Sequence, residues 1–243
     1  MNPIEGPREP KIDNEKLSTW IELILFLGLY FAVKLAQGLG GLPANLFGIP
    51  YIGLSWFYFL LSLLIIWRYH RGNQLQSLGL LWPAIWPTLA SGTLGGLLAF
   101  LADGVTTPVF EALFGRTQDL SSFANLRGNL SDYLWLVPVA WLFAGFGEEV
   151  FFRGWLMSRL RLLLGESRSK YGLAWGLQAL VFGLAHSYQG PTGIASVAVY
   201  GLVYGGLVVR QQGGLWAAIW CHSLVDTIGL TAIYTGALNA SIQ

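Results

Sequence analysis

Long apolar runs alternate with short polar breaks along the whole chain. A bilayer core about 30 Å thick needs roughly 20 apolar residues, each adding about 1.5 Å of helix. Seven runs meet or approach that length: about Trp20–Gly38, Ile52–Trp67, Ala84–Leu101, Tyr133–Met157, Leu173–His186, Thr192–Val209 and Leu215–Tyr234. The second is closed by Arg68, Tyr69, His70 and Arg71, and the third follows a Trp82-Pro83 break. Between the third and fourth, Gly104–Asp132 sets Phe110, Leu113 and Phe114 among polar residues. It reads as an interfacial loop with at most one amphipathic helix. The pattern predicts an all-α fold, a polytopic membrane helix bundle with about seven transmembrane helices, the count lying between six and eight.

Composition agrees. Of 243 residues, 54% are apolar and 11% charged, against about 45–50% and about 25% in soluble domains. This excludes a disordered chain, and a net charge of +1 offers no basic face for nucleic acid. A single cysteine, Cys221, excludes a disulfide framework. There is no internal repeat and no Pro- or Ser-rich linker, so residues 1–17 read as a cytoplasmic tail and 18–243 as one integral-membrane helical domain. Glu5, Glu9, Asp13 and Glu15 in that tail argue against a cleavable signal peptide, so the first span is expected to be retained.

Lys and Arg set the expected orientation. One side collects Arg8, Lys11, Lys16, Arg68, Arg71, Arg159, Arg161, Arg168, Lys170 and Arg210, the other only Arg116 and Arg127. The N-terminus is therefore expected in the cytoplasm, in a bacterial inner or an organellar membrane. The pairs Gly92/Gly96, Gly172/Gly176 and Gly201/Gly205 have the spacing that lets membrane helices approach closely. Eleven Trp and ten Tyr suit interfacial belts.

Ionisable groups inside apolar spans are costly and mark function. The fourth span carries Glu148, Glu149 and Arg153, the fifth ends on His186, and the seventh holds His222 and Asp226. Glu149 and Arg153, four residues apart, share a helical face and can pair. Glu148 is turned about 100° from Glu149 and has no partner on its own helix. One carboxylate is thus neutralised while its neighbour is left to handle a proton, as a general base must. Glu22, Lys34 and Asp103 read as span-end residues that snorkel to water, and His70 as interfacial. Cys221 faces about 100° from His222, which sets a Cys–His nucleophile aside.

Helix rise gives the depths. Glu148 and His186 each lie roughly 25 Å from the Gly165–Lys170 turn, so an antiparallel hairpin brings them level. Measured instead from a bilayer surface near residue 158, Glu148 is about 15 Å deep, and His222 lies about 13 Å past the Gln211–Gly213 turn. The fifth span then ends soon after His186, and the irregular Ser187–Pro191 backbone falls short of the outer surface, which a membrane tolerates only against protein or a watery cavity. Water, a carboxylate and two imidazoles outline a hydrolytic site.

The Glu-Glu-x-x-x-Arg run (Glu148, Glu149, Arg153), the Phe-x-x-x-His run (Phe182, His186) and the His-x-x-x-Asx run (His222, Asp226) resemble the CPBP family. This family holds the type II CAAX prenyl endopeptidases and the bacteriocin-processing or immunity (ABI) proteins. The resemblance covers about Tyr133–Tyr234 and implies an intramembrane endopeptidase cutting a membrane-associated peptide or lipidated protein. It implies that Glu148, assisted by His186, activates the attacking water, that His222 and Asp226 face the oxyanion, and that Glu149, Arg153 and Phe182 support them. Prenyl-protease members usually carry Asn where Asp226 stands. An ionised Asp cannot donate to an oxyanion, so Asp226 must be protonated, orient His222 or bind a metal.

No cofactor is the favoured expectation. Zinc is the alternative, with His186 and His222 plus Glu148 or Asp226 as ligands, but there is no His-Glu-x-x-His run and the helix of His186 offers no second ligand. Two other classes stay open from the sequence: a proton-coupled transporter, since intramembrane Glu and His also form proton relays, and a non-catalytic membrane scaffold or immunity protein. The substrate, any partner beyond membrane lipids, and the oligomeric state are not legible.

Overall fold

The computed structural model describes residues 14–38, 55–72, 75–81, 83–165 and 167–238. Most of the expected N-terminal tail lies outside the described residues, and so does the side chain of Lys34. The elements are α1 (Asn14–Gly38), α2 (Ser55–Arg71), a 3-10 turn (Leu75–Leu78), α3 (Ile85–Phe114) and a second 3-10 turn (Ser121–Leu126). A long helix follows in three parts: α4 (Leu130–Val139), a π-helical stretch (Ala140–Leu156) and α5 (Met157–Leu164). Then come α6 (Arg168–Ala185), a 3-10 turn (Ser187–Gln189), α7 (Gly190–Arg210) and α8 (Trp216–Thr235). Among the described residues there is no strand.

Within the described residues, each of the seven apolar runs falls on a helix. Among the described residues, five helical stretches, Lys16–Val33, Ile85–Phe114, Leu130–Leu164, Ser187–Arg210 and Trp216–Thr235, are long and apolar enough to cross a membrane by themselves. The helices of the second and fifth runs, α2 and α6, are the short ones, with 17 and 18 residues. They lie against longer neighbours, α2 along the π stretch and α6 along α7.

The expected loop Gly104–Asp132 is corrected. α3 runs on to Phe114, capped by Gly115 with φ 64°. The polar residues that suggested a loop are satisfied on the helix's inner side. Thr106 donates to the Ala102 carbonyl at 2.9 Å, and Thr107 donates to Asp103 at 2.6 Å and lies 2.7 Å from Ser196 of α7. Val105, Val109 and Leu113 point outward at 59–71% exposure. The amphipathy is inside-out, polar towards protein and apolar towards lipid, and a reading that assumes water outside mistakes it for a loop. Asp103 therefore sits within a helix and faces Thr107, rather than snorkelling.

Glu22 is also corrected: it is ion-paired to Arg68 of α2 and, at 2.8 Å, to Arg159 of α5. Beyond α3, the chain folds over the α6–α7 turn. The Asp119 N–H donates to the Gln189 carbonyl at 3.0 Å, Gln118 donates to the Gln189 side chain at 2.8 Å, and Thr192 donates to the Arg116 carbonyl at 2.5 Å. The irregular backbone after His186 thus lies against protein, as apolar surroundings demand.

The glycine pairs divide. A Cβ on Gly201 would meet the Ala179 backbone at 3.1 Å and one on Gly205 the Gln178 and Trp175 side chains at 2.6 Å, so α6 and α7 are close-packed there. Gly172 and Gly176 have nothing within 4 Å and pack nothing. At Gly183 a Cβ would collide with the Ile194 carbonyl of α7. Gly183→Ala is expected to lower stability in detergent by about 1–3 kcal/mol through overpacking, whereas Gly176→Ala is expected to be neutral or mildly stabilising. Equal melting temperatures for the two variants would contradict this packing.

Candidate active site

The π stretch positions the acidic residues. Its i→i+5 hydrogen bonds give a wider turn than an α-helix, and such segments are usually single-turn bulges at functional sites. Here it spans 17 residues and ends with the Met157 N–H donating to the Phe152 carbonyl. Small residues let neighbours close in: Gly145 lies against Ser223 of α8, and Gly147 against the Phe59 backbone of α2 at 3.2 Å from its Cβ position. Ser62 of α2 donates to the Gly147 carbonyl at 2.5 Å. The 3.6-residue period used to turn Glu148 away from Glu149 does not hold in this segment. Both carboxylates are buried, at 3% and 0% exposure.

Their partners nevertheless differ. Glu149 Oε1 accepts from Arg153 Nη1 at 2.8 Å and from His222 Nδ1 at 2.8 Å. The expected pairing with Arg153 is present, and the bond to α8 is an addition that helical spacing did not show. Oε2 of Glu149 and Oε2 of Glu148 are both buried without a hydrogen-bond partner, so the difference lies in the two bonds to Glu149 Oε1. Glu148 lies within electrostatic reach of His222 and Asp226.

The ring nitrogens follow from their partners. His186 Nδ1 lies 2.9 Å from the Phe182 carbonyl; a carbonyl only accepts, so Nδ1 donates and Nε2 is the accepting nitrogen of the neutral ring. His222 donates from Nδ1 to the Glu149 carboxylate, and its Nε2 is 3.6 Å from Asp226 Oδ2. Asp226 is the more accessible carboxylate, its side chain 28% exposed.

Phe182 joins the two halves. Its ring centroid is 4.9 Å from that of His186 and 5.8 Å from that of His222, edge-on to both. The Arg153 guanidinium lies 4.1 Å over the same ring and 5.2 Å over Tyr204. Arg153 is 1% exposed, so aromatic faces solvate the sides of the cation that its ion pair leaves open.

Tyr204 was missed from sequence. It is 1% exposed and stacks on His222 at 4.7 Å and 24°. Tyr30 and Tyr58 were missed as well: they stack at 5.2 Å, are 1% and 3% exposed, and lie within electrostatic reach of Glu148. These three are interior residues, which corrects their assignment to interfacial belts. The Ser196, Tyr200 and Tyr204 spacing of four along one helix was the available signal. Gln178 is fully buried and donates to the Gly201 carbonyl at 3.0 Å. Cys221 is buried and free.

Among the described residues no group of three or more His, Cys, Asp and Glu side chains converges to hold a metal ion. The set expected for zinc, His186 and His222 with Glu148 or Asp226, is not assembled there.

Residues 130–228 match the family model described as type II CAAX prenyl endopeptidase Rce1-like. No curated protein matches the chain, and no solved structure does. The matched segment runs from α4 into α8 and contains Glu148, Glu149, Arg153, Phe182, His186, His222 and Asp226. With five helices fit to cross a membrane, it supports a membrane-integral CAAX-type endopeptidase in general.

Removing one member of a buried ion pair strands the other, at about 3–5 kcal/mol. Arg153→Met is expected to lose that much stability in detergent unfolding. Adding Glu149→Gln is expected to restore part of it, and a double variant no better than the single one would contradict the pairing.

Proposed function

We propose that the chain is an intramembrane endopeptidase that hydrolyses a peptide bond of a membrane-associated or lipidated peptide through a water activated by Glu148 and His186. The observation that carries this reading is the division of labour between adjacent buried carboxylates. Glu149 is held through Oε1 by Arg153 and His222, whereas among the described residues no cation is ion-paired to Glu148, although Oε2 of both carboxylates is buried without a hydrogen-bond partner. Glu148 accepts a proton as the water oxygen attacks the scissile carbonyl, and returns it to the departing amine. His186 accepts from the same water through Nε2, its tautomer held by the Phe182 carbonyl.

His222 is the electrophile. Glu149 holds its Nδ1–H, and in the imidazolium form an Nε2–H remains for the oxyanion. Asp226, 3.6 Å from that nitrogen, orients the ring and balances its charge. Glu149, Arg153 and Phe182 position it. The mechanism routes no step through a metal. The N-terminus lies in the cytoplasm, and residues 18–243 form one membrane domain. The matched family makes a prenylated peptide the first substrate to try.

Glu148→Gln preserves shape and removes the base, so cleavage is expected to fall about 10²–10⁴-fold, and His186→Ala is expected to fall similarly, with both proteins still folded. The measurement compares peptides that accumulate in membranes carrying wild-type or Glu148→Gln protein. Unchanged peptide profiles with an intact cellular phenotype would favour a non-catalytic scaffold. Solute flux into liposomes that depends on Glu148 would favour a transporter.

A further inference from the structure

At the end of the bundle opposite the α6–α7 turn, a groove of about 530 Å³ opens between α1 and α2. Small-molecule sites typically measure about 300–1,000 Å³. Its walls include Leu17, Ile21, Leu25 and Leu64, which are 46–63% exposed. Its floor is Phe26, whose ring lies 5.0 Å from Trp155 of the π stretch.

The rim is cationic. Arg68 borders the groove with its side chain 55% exposed. Glu22 also lines it, but its carboxylate is shared between Arg68 and Arg159, which leaves one positive charge unbalanced. Arg71 adds a second, with its guanidinium 5.2 Å over the Trp67 ring. Trp67 lines the groove and is 55% exposed, a placement suited to the headgroup level. An apolar trough ending in arginines matches a molecule with a hydrocarbon chain and an anionic head. A peptide would set unpaired backbone groups against Leu and Ile, and free phosphate would gain nothing from the walls.

We propose that the α1–α2 groove binds one acyl chain of an anionic phospholipid, whose phosphate sits between Arg68 and Arg71. Basic pockets between transmembrane helices on the cytoplasmic side recognise acidic headgroups in this way. The lipid closes α1 onto α2 where the two helices meet through Glu22 and Arg68.

Native mass spectrometry of the detergent-purified full chain with phosphatidylglycerol or phosphatidylcholine tests this, with melting temperature read in parallel. The wild type is expected to retain phosphatidylglycerol and to melt higher with it, but not to retain phosphatidylcholine. Arg71→Gln, which leaves the Glu22 ion pair intact, is expected to weaken retention about fivefold. Leu25→Trp fills the trough with both arginines in place and is expected to weaken it as well. Equal retention of the two lipids overturns the proposal, as does undiminished binding by Arg71→Gln. Full binding by Leu25→Trp reduces the effect to surface charge and also overturns it. Binding that appears only after removal of residues 1–13 assigns the groove to the chain's own N-terminus and overturns the lipid proposal too.

Discussion

A guanidinium buried among membrane helices must find its counter-charge inside the protein, and Arg153 imposes that requirement here. Its ion pair with Glu149, 2.8 Å long and fully buried, sits where the other elements converge. Glu149 reaches α8 through His222, while Phe182 of α6 and Tyr204 of α7 cover the cation's faces. One charge pair therefore fixes four parts of the chain to each other, and the remaining carboxylate, Glu148, inherits a rigid surrounding.

The same constraint explains the architecture farther out. A polar group at depth is costly without a partner in a medium without water, and away from the carboxylates several find one. Thr107 finds Ser196, Gln178 finds the Gly201 carbonyl, and the turn after His186 finds Arg116, Gln118 and Asp119. The outward faces are correspondingly apolar, with Leu94, Leu97 and Leu101 of α3 between 57% and 66% exposed.

Scarcity of charge made much of this legible. With 11% charged residues, the three clusters in the fourth, fifth and seventh runs stood out, and helical spacing paired Glu149 with Arg153. Spacing along one helix cannot show bonds between helices, so the Glu149–His222 bond and the Tyr204 stack were invisible. The π turn was hidden because hydrophobic periodicity does not report which carbonyl an N–H reaches. α3 was cut short at Leu101 because Asp103, Thr106 and Thr107 look like a break to a reading that expects water outside. Glu22 looked like a span-end residue because its partners, Arg68 and Arg159, lie far away in sequence.

The unequal helices have a consequence for the membrane itself. α3 has 30 residues, roughly 45 Å of helix, while α6 has 18, roughly 27 Å. A hydrocarbon layer about 30 Å thick cannot match both: beside a long helix it thickens or the helix tilts, and beside a short one it thins. Leu173, Leu180 and Leu184 of α6 are 41–50% exposed, so lipid meets the short flank directly. The surrounding bilayer is then lopsided, and its shallow sector adjoins the helix that His186 caps.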